Sequence, residues 1–307
     1  MAGKIAIVGS NMVDLITYTD RMPWSGETIE APRFEMGCGG KGANQALAAR
    51  RAGAEVRMAG AVGEDAFAVE ALALLDEAGA DLGAVRHLPG PTGTALILVG
   101  GDGENMIAVI PAANGKGTAQ DAEAAVARMQ AGDTLLLQME IPEAAVEAAL
   151  SAARAGSVTS ILNIAPLNHA VARLAPRADI VIANETEFAR LSGKPAEMPS
   201  VVRAELAALH ARTGQCMIVT LGGEGVLWAR DGTVEHVDAL RIRPIDTVGA
   251  GDTFCGYLAQ GLDAGMEFSA AVRRAAVAGA LACLKPGAQP SIPLASEVEA
   301  RLSNVQR

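Results

Sequence analysis

Short apolar runs of strand length alternate along the chain with longer stretches of helical length. Lys4 to Gly9 (KIAIVG), Val56 to Val62, Thr134 to Met139, Val158 to Ile164, Asp179 to Ala183 and Cys216 to Leu221 read as strands. Alanine-rich segments such as Glu64 to Ala80 and Pro142 to Ala155 read as helices between them. Asp252 to Ala264 and Phe268 to Leu284 read as two successive helices near the C-terminus. Continuous apolar strands that alternate with helices build a parallel sheet covered on both faces. The pattern predicts an α/β fold in one domain over 1–307, with a mostly parallel central sheet flanked by helices.

One region breaks the rhythm. Thr94 to Val99 (TALILV) and Asn105 to Ile110 (NMIAVI) flank Gly100-Gly101-Asp102-Gly103-Glu104, a hairpin signal. The stretch from Ile16 to Phe34 is too irregular for a β-α unit. Together these segments, about 15–35 and 94–112, predict a small β-sheet lid over the main sheet.

Composition narrows the function. Of 307 residues, 50% are hydrophobic and 20% charged, enough apolar matter for a large core. The mean hydropathy of +0.25 comes mostly from alanine. Charges interrupt every apolar run before it could span a bilayer, so no membrane partner is expected. Met1-Ala2-Gly3-Lys4 leads into a strand without signal-peptide architecture, which predicts a cytoplasmic protein. The formal charge of −10, with no basic block, argues against a nucleic-acid partner. Cys38, Cys216, Cys255 and Cys283 form no C-x-x-C pair and stand apart from the four histidines. Reduced thiols are expected rather than a zinc site or a disulfide framework.

Three glycine-rich stretches carry candidate chemistry. Gly37-Cys38-Gly39-Gly40-Lys41-Gly42 satisfies G-x-G-x-x-G, but it does not follow the first strand as a dinucleotide fingerprint must. Gly42 after Lys41 also breaks the P-loop pattern, which leaves a tight turn into a helix starting near Asn44. Thr220-Leu221-Gly222-Gly223-Glu224-Gly225 is either a turn before the strand Val226 to Ala229 or a close approach to a nucleotide. Asp246-Thr247-Val248-Gly249-Ala250-Gly251-Asp252 runs straight into a helix. Consecutive N–H groups at such a start form an anion site, reinforced by the helix dipole. Asp252 is either a plain N-cap or a carboxylate beside an anion hole, as phosphoryl transfer to a hydroxyl requires.

At this motif the chain resembles the ribokinase (phosphofructokinase-B) family of carbohydrate kinases, in order and nearly end to end. Gly9-Ser10-Asn11-Met12-Val13-Asp14 is similar to the family's sugar motif, Gly39-Gly40-Lys41-Gly42-Ala43-Asn44 to its first signature and Asp246 to Phe254 to its second. Gln138-Met139-Glu140, Asn163-Ile164-Ala165-Pro166, Asn184-Glu185-Thr186-Glu187, Thr220-Leu221-Gly222 and Gly287-Ala288-Gln289-Pro290-Ser291 complete the series. The resemblance implies a β-sheet lid that pairs two subunits into a homodimer. It also implies a pentose substrate, D-ribose or 2-deoxy-D-ribose, phosphorylated on its 5-hydroxyl by ATP.

Carried over residue by residue, Met12, Asp14, Gly40, Lys41, Asn44 and Glu140 would face the sugar, with Asp252 as base behind the N–H groups of Gly249, Ala250 and Gly251. Asn184, Thr220, Gly222, Gly223, Gly225 and Gly251 would line the ATP site, with Glu187 organising Mg²⁺ through water. Asp246, Val248, Ala282, Lys285, Gly287 and Ser291 would hold K⁺. Met12 departs from the ribokinase pattern, where Asn is common, and Gly9 to Pro23 is closest to 2-deoxyribose kinases of the family. The rivals are a kinase for a nucleoside or hexose phosphate, and a non-catalytic sugar sensor on the same fold. Aromatic residues at 3% offer little stacking surface for a base, and Lys41 is the one basic group near the sugar motifs. A sensor would not need Asp252 or the Gly-Ala-Gly turn.

Overall fold

The computed structural model describes residues 4–101, 104–194 and 198–305. Its first strands are β1 (Lys4–Val8), β2 (Met12–Tyr18), β3 (Arg33–Gly39), β4 (Glu55–Gly63), β5 (Asp81–Leu88), β6 (Gly93–Val99) and β7 (Asn105–Ile110). Then follow β8 (Thr134–Leu137), β9 (Thr159–Asn163), β10 (Ile180–Asn184), β11 (Cys216–Thr220), β12 (Val226–Arg230) and β13 (Thr233–Val237). Nine of them form one sheet in the order β13-β12-β11-β10-β9-β8-β1-β4-β5. From β11 to β5 every pairing is parallel, and β12 and β13 add antiparallel pairings at one edge.

Period-two alternation explains how the sheet is buried on both sides. Along β1, Ile5 and Ile7 join one apolar cluster with Ala46, Leu47, Phe254 and Leu258 from the helices Lys41–Arg51 and Ala250–Asp263. Ala6 and Val8 point the other way, into a cluster with Val146 and Leu150 of the helix Glu143–Ala155. All four residues of β8 are buried, as a central parallel strand requires. The edge strands β5 and β13, with mixed exposure, lack that continuous apolar signature and escape a reading based on it.

The chain leaves β1 towards β4 and β5, then returns to lay β8, β9, β10 and β11 on the other side of β1. The order reverses between β1 and β8, and ligands bind α/β sheets beyond the strand ends at such a point. Ser10 and Gln138 to Glu140 follow those two strands directly.

A second sheet, in the order β3-β2-β6-β7, pairs β2 with β6 in parallel and its other neighbours antiparallel. Its strands reach beyond the 15–35 segment at both ends, from Met12 to Gly39. The hairpin expected at 94–110 is present, while Asp102 and Gly103 of its turn lie outside the described residues. The tight turn expected from Gly37 is instead strand as far as Gly39, and the following helix begins at Lys41, ahead of Asn44. The reason is non-local: β2 pairs with this segment, Met12 opposite Gly39 and Asp14 opposite Gly37. A side chain at Gly39 would collide with the Asp14 carboxyl.

Among the described residues no helix is long and apolar enough to cross a membrane, and all four cysteines are free. The helices Lys41–Arg51 and Ala250–Asp263 touch backbone to backbone: a Cβ on Gly256 would sit 2.5 Å from both the Gln45 carbonyl oxygen and Ala48 Cβ. Gly256→Ala gains about 1 kcal/mol of helix propensity but overpacks a rigid contact at about 1–3 kcal/mol. The expected outcome is a lower Tm together with reduced turnover, since the helices carry Asn44 and Asp252. Melting and kinetics equal to those of the parent chain would show that the close contact is not required.

Candidate active site

The loop after β1 supplies the first wall. Helix starts leave N–H groups unpaired, and Ser10 takes two from the helix Lys41–Arg51: its carbonyl accepts from Ala43 N–H at 2.9 Å and its hydroxyl from Gly42 N–H at 3.3 Å. Glu140, just beyond β8, accepts from Ser10 Oγ at 2.6 Å and from Lys41 N–H at 2.9 Å through one oxygen, Oε2. These bonds span the point where the strand order reverses. Gly40 precedes the helix at φ 90°, where a Cβ would lie 3.0 Å from Met12 N and Ser10 O. Met12 is buried at the start of β2 and projects to the same side as Asp14, two residues on. Its Cγ packs beside Gly93, and Asn114 holds the preceding Asn11 by both backbone groups, at 3.0 and 2.8 Å.

The second wall is the start of the helix Ala250–Asp263. Its N-cap is Gly249, at φ 77°, so Asp252 is not the cap that one sequence reading allowed. Asp252 is 6% exposed and turns its carboxylate onto the neighbouring helix. Oδ2 accepts from Asn44 Nδ2 and Oδ1 from Gln45 Nε2, each at 2.9 Å. Asn44 Oδ1 is left buried without a partner, an exception to the rule that buried polar atoms are paired. A Cβ on Gly251 would meet nothing within 4 Å, so this helix start opens onto space rather than protein. The Ala250 N–H makes a long bond to the Thr247 carbonyl at 3.3 Å, whereas those of Gly249 and Gly251 have no protein acceptor among the described residues.

Charge is concentrated between the walls. Burial, then Glu140 and Asp252, push the Asp14 carboxyl up to about 7, while Lys41 opposes them. Asp252 is the largest influence holding the Lys41 ammonium above its ordinary range, followed by Glu140 and Glu187, against the cost of burial. Burial raises Glu187 as well, with Lys41 and the Asn184 backbone opposing it. Lys41 and Asp252 are the shared neighbours, since Asp14 and Glu187 each respond to both. Burial also pushes the thiols of Cys38 and Cys255 up, which makes them poor nucleophiles.

Asn184 and Thr220 stand side by side at the ends of β10 and β11. Asn184 caps the helix Glu185–Ser192: its Oδ1 accepts from Glu187 N–H at 2.7 Å and its own N–H donates to Glu187 Oε2 at 2.9 Å. This capping box spends one oxygen of each side chain. Gly222 and Gly223 have no atom within 4 Å of a would-be Cβ, as a surface approached by a ligand needs, but Gly225 is closed in by the Val237 carbonyl. The loop is thus a turn that is open at Gly222 and Gly223 and closed at Gly225.

Asp246 ties two loops together, accepting from Val248 N–H at 2.9 Å and from Gly287 N–H at 2.8 Å. The Ile245 N–H reaches the Cys283 carbonyl at 2.8 Å beside it. Lys285 N–H meets the Ala282 carbonyl at 3.4 Å, and the Ser291 hydroxyl donates to the Ala288 carbonyl at 2.9 Å. Asp246 thus fastens the loop before Gly249 to the loop at Gly287 through both its carboxylate oxygens. Gly249 packs on that second loop, where a Cβ would be 3.0 Å from Ala288 Cα.

Gln45 and Asn114 have structural parts outside every sequence motif, and Ser10 has one that its place in the sugar motif did not reveal. Gln138 and Asn163 lie inside recognised motifs, yet nothing in their spacing showed that both approach Gln45, at 2.6 and 3.4 Å. Adjacency of Gln45 to Asn44 was the one available signal.

The sequence matches the family described as pfkB family carbohydrate kinase over residues 2–295. It is 36% identical to a deoxyribokinase of Salmonella typhi, covering 97% of this chain and 98% of that protein. It is 34% identical to a ribokinase of Lactococcus lactis over 99% and 98% of the two chains. Its fold superposes on the Arabidopsis thaliana ribokinase complexed with ribose and ATP at a TM-score of 0.88, with 30% identity over 98% and 99% of the chains. With both walls of the site built from the family's signatures, the chain belongs to the pfkB family of carbohydrate kinases.

Proposed function

We propose that this chain is an ATP-dependent pentose kinase that phosphorylates the 5-hydroxyl of 2-deoxy-D-ribose and D-ribose. The observation that carries the reading is the Asp252 carboxylate, pinned by Asn44 and Gln45 beside a helix start that opens onto free space. In this reading the pentose lies between Asp14, Glu140, Lys41 and Asn44, and the two carboxylates accept hydrogen bonds from its hydroxyls. ATP lies along Asn184, Thr220, Gly222 and Gly223 with its γ-phosphate towards Gly251. The sugar oxygen bonds to the γ-phosphorus as the bond to the β–γ bridging oxygen breaks, ADP leaves, and the hydroxyl proton passes to Asp252. The N–H groups of Gly249 and Gly251 face the charge on the transferred group.

Mg²⁺, when bound, neutralises charge on the phosphate oxygens. Among the described residues no three His, Cys, Asp or Glu side chains are grouped as metal ligands, so Glu187 would reach the ion through water. K⁺ would sit beside Asp246 and stiffen the loop that carries Gly249. Free thiols fit a cytoplasmic enzyme. The exposed Phe34, Met36, Leu96 and Met106, which the cross-strand register puts on one side of the second sheet, form the face through which two copies would pair. Light scattering that returns the mass of a single chain would remove the dimer.

The central test is an ADP-release assay over a panel of sugars and nucleosides. Asp252→Asn is expected to fold and bind ATP but to lose about a hundredfold to ten-thousandfold in turnover. A variant that keeps more than about a tenth of parental turnover would sink the assignment. In the same assay, exchanging K⁺ for a bulky organic cation at fixed ionic strength is expected to lower the rate severalfold, and equal rates count against the cation site. Met12 offers a thioether where Asn would give two donors and an acceptor. An apolar wall rejects an added hydroxyl by about a hundredfold at most, so both pentoses should be substrates. Met12→Asn is expected to shift kcat/KM towards ribose, and an unchanged ratio would show that Met12 does not read the 2-position.

A further inference from the structure

Behind Asp252 lies a chain of side-chain amides that no part of the proposed chemistry uses directly. Gln45 and Gln138 are both fully buried, so neither can touch a substrate. Gln138 Nε2 donates to Gln45 Oε1 at 2.6 Å, and Gln45 Nε2 donates to Asp252 Oδ1 at 2.9 Å. Gln45 Nε2 also faces Asn163 Oδ1 at 3.4 Å. The chain joins the strand ends of β8 and β9 to the helix that carries the carboxylate.

The polarity of this chain is dictated from the Asp252 end. An ionised carboxylate can only accept, so Gln45 must present its Nε2, which turns its Oε1 towards Gln138. Gln138 must then donate, and its own Oε1 is left buried with no partner. That end fits only because residue 9 is glycine: a Cβ there would strike Gln138 Oε1. An unpaired buried acceptor is a cost that apolar side chains of the same size would avoid. A chain of hydrogen bonds that point the same way strengthens each member, and here the beneficiary is Oδ1 of Asp252.

The two oxygens of Asp252 are held differently. Oδ2 is bonded by Asn44, whose own Oδ1 has no partner and so does not anchor the side chain from behind. Oδ1 is bonded by Gln45, which is anchored from behind and shielded from any ligand. We propose that Gln45 and Gln138 are positioning residues that fix the Asp252 carboxylate through Oδ1, leaving Oδ2 as the atom that receives the hydroxyl proton. The proposal rests on Asp252 as proton acceptor. A misplacement of about 1 Å at a reacting group can cost about a hundredfold, so the relay acts on turnover rather than on binding.

The test replaces each glutamine by methionine, which keeps the length and removes both polar ends. Kinetics are measured in the parent and in Asp252→Asn, with folding monitored by thermal melting and pentose binding by calorimetry. Gln45→Met is expected to lower kcat by about tenfold or more while KM for ATP and Kd for the pentose stay within about threefold. Gln138→Met should lower kcat less, and the double variant should be no worse than Gln45→Met alone, because Gln138 acts through Gln45. In the Asp252→Asn background Gln45→Met should leave the residual rate within about twofold. If Gln45→Met does not fold, the same comparison is made with Gln138→Met, one residue further from the site. Full turnover in the glutamine variants, or an equal loss in both backgrounds, overturns the relay. If Asp252→Asn itself retains turnover, the proton-acceptor reading falls and the relay with it; if Asp252→Asn is dead while Gln45→Met is fully active, the relay alone falls.

Discussion

The site depends on one contact: the backbone approach of two helices at Gly256. Nothing larger than hydrogen fits between that position and the Gln45 carbonyl and Ala48. Two helices at this separation bring the first turn of one, with Asp252, within hydrogen-bond reach of Asn44 and Gln45 on the other. A wider spacing would leave a buried carboxylate without donors, and burying an unpaired charge is far more costly than losing a packing contact. The geometry of the candidate base is thus a packing property before it is a chemical one.

Each of these helices starts at the site but in a different state. The helix from Lys41 has its first N–H groups taken by Ser10 and Glu140, so its start is closed and serves to fix the loop after β1. The helix from Ala250 begins at a left-handed glycine and opens onto space, so its start keeps the capacity to hold an anion. The same local motif, glycine before a helix, yields a structural end and a ligand-facing end. What separates them is whether another loop reaches the N–H groups first.

Electrostatics sets the cost of this arrangement. Asp14, Glu140, Glu187 and Asp252 all interact electrostatically with the half-buried Lys41 ammonium, and burial first, then neighbouring carboxylates, displaces Asp14 and Glu187 upward. Sites with gathered like charge are less stable than an apolar core would be, and they are kept where function needs them. The hydroxyl-rich ligand proposed for this space would donate to those carboxylates and relieve part of the strain.

Much of this was legible along the chain. Continuous apolar runs such as Thr134–Leu137 and Ile180–Asn184 announced buried parallel strands, because a strand covered on both faces has no polar side to show. The motif residues around Asp252, Lys41 and Glu140 were also visible, since close backbone approach and charge leave marks in residue type. The edge strands β5 and β13 were not, because a half-exposed strand lacks that run. Nor was the strand character of Arg33–Gly39, which exists only because β2 pairs with it. Tertiary structure alone decided that Asp252 faces a neighbouring helix rather than capping its own, and that Gln45 and Gln138 stand in line behind it. The amino-acid sequence determines local propensity and which chemical groups exist. Which donor meets which acceptor across 207 residues of chain is settled by how the helices pack on the sheet.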